Sequence, residues 1–414
     1  MQFITLLRRR SIGLLWSGLA LSAVGDQLYT VALSWIAVDI FGPAAGYIAA
    51  VKSAIILAVL FLGGAMSDRW DRRRTMIGAD LCRCAVLVLV VLVWMIEGQP
   101  DAWVLALAVA VLAAGEALFL PALQTILPQL IANEPGLLAG TNALLDATNR
   151  LARLLGPGLI ALAGAIIAPI HFFTANALSF LLSAAAIMAL PLSSTAVAPP
   201  VSQRKKHPLA SLSYGYRAMH RQPLLGFLLD SNAFIGGAWY VAFFLAVPLI
   251  ISSQFDASLT TGFGLYGLVI AAFGVSNLIA NLVVGNRPMP EHPARMIYLG
   301  VCTTGTGILL MALAALAPMP VHWRLIGFVI ASGVSGFGGP FKDVAFATLR
   351  QTLLPSADIA PATRIYIVTS HAGMLFGMLV APMMSSRVSP GDLLLICGGT
   401  YLAVAIIGWL RFAR

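Results

Sequence analysis

Charge is scarce in this chain. Of its 414 residues, 10% are Asp, Glu, Lys or Arg, against about 25% in an ordinary soluble domain. A surface so poor in charge cannot stay wet, which excludes a soluble globular protein. Cysteine is also scarce. Cys82, Cys84, Cys302 and Cys397 lie in or beside apolar runs, with no zinc or redox spacing, so neither a disulfide framework nor a metal site is expected, and they read as small core residues. Acids are fewer than bases, 16 against 25, for a net charge of +9. That excess does not indicate a nucleic-acid partner, because the basic residues cluster at the ends of apolar segments, as cytoplasmic loops of membrane proteins require. No nucleophile triad, phosphate loop or metal-ligand cluster is visible. An enzyme is therefore not expected, and neither is a cofactor; an intramembrane enzyme or sensor is the reading from another class that this argues against.

What the chain has instead is apolar sequence: 59% hydrophobic residues and a mean hydropathy of +0.91. A membrane span needs about 20 mostly apolar residues. Segments of that kind occupy 12–37, 45–66, 75–96, 103–127, 141–166 and 171–190. After a polar stretch they resume at 224–250, 261–284, 295–317, 323–349, 363–384 and 393–412. The expectation is an all-α integral membrane protein with twelve transmembrane helices in two six-helix bundles: an N-terminal bundle (1–192), a cytoplasmic linker (193–222) ending in a surface helix, and a C-terminal bundle (223–414). The run after Arg8-Arg9-Arg10 extends well past a signal peptide's apolar region and reads as a retained first helix.

Lysine and arginine set the orientation. Arg8 to Arg10, Arg69 to Arg74, Arg204 to Lys206, Arg287, Arg295, Arg350, Arg411 and Arg414 fall on one side, with Arg324 and Arg387 as exceptions. Both termini and the linker are therefore expected in the cytoplasm, in a multi-pass protein of the inner (cytoplasmic) membrane. The pentapeptide Gln124-Thr125-Ile126-Leu127-Pro128 returns as Gln351-Thr352-Leu353-Leu354-Pro355. Its place at the same end of corresponding helices fits two parallel repeats.

The basic turn Gly63-Gly64-Ala65-Met66-Ser67-Asp68-Arg69-Trp70-Asp71-Arg72-Arg73-Arg74 joins the second and third apolar segments. Its glycines let two helices approach closely. The spacing of Gly64, Asp68, Arg69, Arg72 and Arg73 resembles the signature loop of the major facilitator superfamily, departing where Asp71 stands in place of the usual glycine. Gly156-Pro157-Gly158, in the fifth segment, partly resembles the antiporter motif of facilitator exporters, with Ala152, Ile160 and Ala161 where the family prefers glycine; proline there frees a carbonyl and kinks or loosens the helix. Leu15-Trp16-x-Gly18, Gly25-Asp26 and Phe119-Leu120-Pro121-Ala122 add a resemblance to the macrolide-efflux type of drug:proton antiporter, to which siderophore exporters are similar. The resemblance is good over the first five segments and weak in the second half. It implies alternating access, with protons exchanged inward for a small organic molecule outward. A facilitator-fold importer or lysophospholipid flippase is the alternative. The expected partners are a small organic substrate, protons and the lipid bilayer, with the protein a monomer.

Ionisable residues inside hydrocarbon are expensive and face a cavity or a partner. Asp26 lies near the middle of the first segment and shares a polar face with Ser22 and Tyr29. Burial disfavours its charged form, so it can take up a proton near neutral pH; alternatively it is a structural carboxylate, with Lys52 a candidate partner. The fifth segment carries Asn142, Asp146, Asn149, Arg150 and Arg153 on one face. Asp146 and Arg150 are either functional or an intrahelical pair. Arg153 has no helical partner and is the better candidate for a substrate anion or an interhelical contact. Glu116 sits mid-span beside Gly115, on a helix that lacks the family's usual arginine. Asp230, Lys342-Asp343 and Arg364 read either as gate or interface pairs or, in preference, as snorkelling or paired residues, and His371 is either a titrating group or a satisfied core residue.

Overall fold

The computed structural model describes residues 7, 9–62, 71–130, 135–190, 208–255 and 258–413. These residues are helical with no strand among them. That is the form a chain takes where no water is available to satisfy backbone groups. The first set of helices is α1 (Arg10–Phe41), α2 (Ala45–Leu62), α3 (Arg72–Glu97), α4 (Ala102–Leu130), α5 (Pro135–Ala163) and α6 (Ile170–Met188). A short helix, Pro208–His220, follows. The second set is α7 (Pro223–Phe255), α8 (Thr261–Gly285), α9 (Pro293–Leu316), α10 (Val321–Leu353), α11 (Ser356–Met384) and α12 (Pro390–Phe412).

By length and composition, the described residues give ten candidate spans rather than twelve. Two physical features account for the difference. Arg10–Phe61 is one continuous apolar stretch, which folds back at Gly42–Ala44 where Gly42 takes φ +54°, a value that a side chain would resist. The helix α5 is not among the ten; Asp146, Arg150 and Arg153 interrupt its apolar sequence. Three boundaries also differ by five residues or more from those expected; α5 starts at Pro135 rather than 141. α7 runs past Ile250 to Phe255 through two π-type segments, Ala242–Ala246 and Ile251–Phe255, flanking Pro248, which has no N–H to give. α11 starts at Ser356 and carries Pro361 inside it, so the span does not begin after that proline.

Helix pairing repeats with a shift of six. In the first set α1 packs on α5 and α6, α3 on α4 and α6, and α2 on α4. In the second set α7 packs on α11 and α12, α9 on α10 and α12, and α8 on α10. The seams between the sets are α2 with α11 and α5 with α8, which exchange under the same shift. Gln124–Pro128 and Gln351–Pro355 fall near the ends of α4 and α10.

Small residues make the closest contacts, as expected where helices associate without water to expel. A Cβ on Gly156 of α5 would lie 2.4 Å from Gln27 Cβ of α1. At the corresponding α7–α11 contact, a Cβ on Gly373 would lie 1.9 Å from the Ala233 carbonyl oxygen. Backbone cannot yield there as a side chain can, so Gly373→Val is expected to force the helices apart at a cost of about 1–3 kcal/mol or more. The thermal unfolding midpoint of the purified protein should drop, and an unchanged midpoint would disprove the close packing. On the outer face of α5, Leu151, Leu155, Leu159 and Leu162 are exposed at helical spacing, while Asn149, Arg150 and Arg153 turn inward.

Candidate functional site

A cavity lies between the two sets of helices. It has two lobes, of about 580 Å³ and 470 Å³, that meet at Gln27, Thr30, Arg153 and Phe244. Each lobe lies within the range of about 300–1,000 Å³ seen for small-molecule sites. One end is sealed by aromatic residues. Trp35 of α1 is fully buried, stacks on Tyr266 of α8 at 6.2 Å and donates from Nε1 to the Leu259 carbonyl at 3.0 Å. Phe172 meets Phe263 edge-on at 5.3 Å. Toward the other end, from which α1 and α3 start, Arg150 and Asp343 remain exposed on the cavity wall.

Asp26, midway along α1, lines the smaller lobe. Its Oδ1 accepts a hydrogen bond from Asn176 Nδ2 at 3.2 Å. Gly25 makes that approach possible, since a Cβ there would lie 2.4 Å from Asn176 Oδ1. Lys52 is not its ion-pair partner: Lys52 Nζ sits 3.6 Å from Glu116 Oε2. Helix spacing alone could not show that α2 packs on α4 at this depth. Tyr29 lines the same lobe, with its ring edge-on to Phe173 at 5.0 Å and its buried hydroxyl without a hydrogen-bond partner among the described residues.

Asp146 and Arg150 form the intrahelical pair, at 2.8 Å, and Arg150 also donates to Asn281 of α8 at 2.9 Å, bridging the two sets of helices. Arg153 lines both lobes and makes no ion pair or hydrogen bond among the described residues. α5 continues through Pro157 to Ala163. Proline at 157 leaves the Arg153 carbonyl without its helical donor, and that carbonyl oxygen lies 3.5 Å from where a Cβ on Gly274 would stand. His371 is not among the residues lining the cavity. It lies in the α2–α11 seam, with Nδ1 3.5 Å from Ser53 Oγ.

Gly64, Asp68 and Arg69 of the signature loop lie outside the described residues. Asp71 caps α3, its Oδ1 accepting from the Arg74 N–H at 2.8 Å; an aspartate in place of glycine thus satisfies an otherwise orphaned donor. Arg72 opens the helix, and Arg73 donates to the Met188 carbonyl at the end of α6. Lys342 pairs with its neighbour Asp343 within α10 at 2.9 Å, Asp230 with His220 at 3.0 Å, and Arg364 donates to Ser211 at 3.2 Å. The last two tie the short helix to α7 and α11. Tyr214 of that helix donates to Asp358 at 2.6 Å, a bond that raises the phenol pKa.

Sequence reasoning missed Asp80 and Arg83. They form a buried i,i+3 ion pair on α3, and Arg83 lines the smaller lobe. Its guanidinium lies 4.2 Å from the Phe180 ring centroid and 5.0 Å from that of Phe119. Gly115 makes the room, because a Cβ there would lie 2.8 Å from Arg83 Cδ. Two charges in an apolar span were the available signal. The aromatic wall of the larger lobe was also missed: Trp239, Phe243 and Phe244 of α7 with Phe273 of α8, in which Phe243 and Phe273 centroids are 4.7 Å apart. Among the described residues no group of three His, Cys, Asp or Glu side chains could hold a metal ion.

A membrane-spanning bundle of helices with a charged central cavity, sealed at one end and built of two sets packed alike, is a membrane transporter rather than an enzyme. The family model described as Major Facilitator Superfamily matches residues 15–313, and the chain belongs to that superfamily. A stretch of 238 residues is 27% identical to the enterobactin exporter EntS of Escherichia coli O81 (strain ED1a), covering 55% of this chain and 53% of the relative. The EntS of Escherichia fergusonii is 26% identical over the same length. The chain thus spans about half the length of the curated relatives it matches. Among solved structures, a variant of the nucleoside transporter NupG is similar in fold with a TM-score of 0.74 at 15% identity, over 96% of this chain and 100% of that one. A bacterial homologue of the iron transporter ferroportin in an inward-facing state gives 0.72 at 14% identity, over 99% and 100%.

Proposed function

We propose that this chain is a proton-coupled secondary active exporter, an antiporter of small amphiphilic organic molecules such as drugs or siderophores, working by alternating access. The observation that carries this reading is Asp26: a mid-membrane carboxylate on the cavity wall whose hydrogen-bond partner is the neutral Asn176. A carboxylate in that position can exchange a proton with whichever side the cavity faces. The outward direction is supported by the partial similarity to EntS and by Gly156-Pro157 in α5. Alternating access would part the aromatic seal around Trp35 while the α2–α11 and α5–α8 seams rock. The same reading has twelve spans, α1 to α12, divided as an N-terminal bundle (1–192), a linker (193–222) and a C-terminal bundle (223–414). The protein is placed as a monomer in the bacterial cytoplasmic membrane with both termini in the cytoplasm.

The test is transport in proteoliposomes. With an acidic interior, protons leaving through the protein should drive an external amphiphile inward, several-fold above protein-free vesicles, and nigericin should abolish the excess. Downhill flux that ignores the pH gradient would remove the proton coupling and leave a facilitator.

A further inference from the structure

Among the described residues, four of the five cationic side chains lining the cavity have an acid of their own. Lys52 pairs with Glu116, Arg83 with Asp80, Arg150 with Asp146 and Lys342 with Asp343. Arg153 is the fifth. It sits on α5, opposite Gly274 of α8, at the junction of the two lobes, and no acid among the described residues pairs with it. Asp26 is hydrogen-bonded to Asn176 and makes no ion pair with Arg153 among the described residues, so that carboxylate does not account for Arg153. A guanidinium is always charged and offers planar donors that match an oxyanion two at a time. Held in a cavity without a counterion, it is a site for a negatively charged group on something that comes and goes.

The surroundings say what that group is attached to. Phe244 stands at the same junction as Arg153. Behind it are Trp239, whose centroid is 5.5 Å from that of Phe244, and Phe243 and Phe273, 5.7 Å and 5.8 Å from Trp239. Such a wall offers faces and edges for apolar and, above all, aromatic surface. From this juxtaposition of Arg153 and the α7–α8 aromatic wall, we propose that the transported molecule is an organic acid with an aromatic body, its carboxylate on Arg153 and its ring against Trp239, Phe244 and Phe273. This rests on the exporter reading above and names its substrate class.

The test uses the full chain purified in detergent, with 1-naphthaleneacetate and its neutral isostere 1-naphthaleneacetamide as probes, titrated calorimetrically. A hydrogen bond to a charged group predicts that the acid binds roughly tenfold or more tightly than the amide. Arg153→Gln should erase that preference while leaving weak amide binding, and Arg153→Lys should restore part of it. Trp239→Leu should weaken both probes together. Equal binding of acid and amide to the wild type, an acid preference that survives Arg153→Gln, or no acid binding at all would each overturn the assignment. The two readings fail separately. A protein that accumulates neutral or cationic amphiphiles on a pH gradient but shows no acid preference keeps the exporter reading and loses this one. One that binds the acid through Arg153 without responding to the gradient does the reverse.

Discussion

Asp26→Asn is expected to reduce pH-gradient-driven accumulation to the level of protein-free vesicles, while counterflow exchange at equal pH on both sides continues. Asparagine keeps the shape of the side chain and its capacity to accept from Asn176, which lies 3.2 Å away, but it cannot release or take up a proton. The variant therefore has a single, proton-independent state at this position: the cavity can still turn with substrate aboard, which is what exchange requires, and the gradient has nothing to act on. Measuring both modes in one preparation separates loss of coupling from loss of folding. Normal gradient-driven accumulation by Asp26→Asn would sink the proposal and move attention to Glu116, Asp146 or His371.

The second large effect is expected on stability. Arg83→Leu leaves Asp80, which is fully buried, without its cation, and breaking a buried pair by removing one partner costs about 3–5 kcal/mol. The double variant Asp80→Asn with Arg83→Leu should recover much of that loss, because replacing both charges of a buried pair is often nearly neutral. Thermal unfolding of the three purified proteins reads the cycle. A single variant as stable as the wild type would show that this pair does not hold α3 against its neighbours.

Much of the architecture was legible in the sequence because the membrane imposes a length and an apolarity on every span. The acid of α1 and the polar stripe of α5 stood out for the same reason: polar groups are conspicuous in apolar runs. The number of spans differs between the two views: the sequence reads as twelve, whereas helix length and composition among the described residues give ten, because α1 and α2 form one apolar stretch turned by Gly42 and three charges interrupt α5. Partners were the hardest part. Spacing found the Asp146–Arg150 pair, which lies within one helix, but it gave Lys52 to Asp26 when Glu116 of α4 holds it. Which helix faces which at a given depth is a tertiary fact. The residues of the aromatic wall were invisible for a different reason, because in a membrane protein an apolar ring on the cavity and one facing lipid are the same letter. His371 lies on a seam rather than on the cavity, a distinction that needs both α2 and α11 in view.

The pairing of charges on the cavity has an electrical consequence. Lys52, Arg83, Arg150, Arg153 and Lys342 are balanced by Asp26, Asp80, Glu116, Asp146 and Asp343, so these groups together carry no net charge with Asp26 ionised. What crosses the field is then set by the cargo. On the proposed exchange, a cavity loaded with a monoanion would carry one negative charge outward and, protonated at Asp26 and empty of substrate, would carry one positive charge back in. Both half-cycles run downhill in an interior-negative cell, at about 2.3 kcal/mol per charge per 100 mV. Such a carrier moves two charges per turnover, and the resting potential does work on the cargo in addition to the pH difference. On that proposal, a cell that lost its pH gradient but kept its voltage would still expel an organic acid.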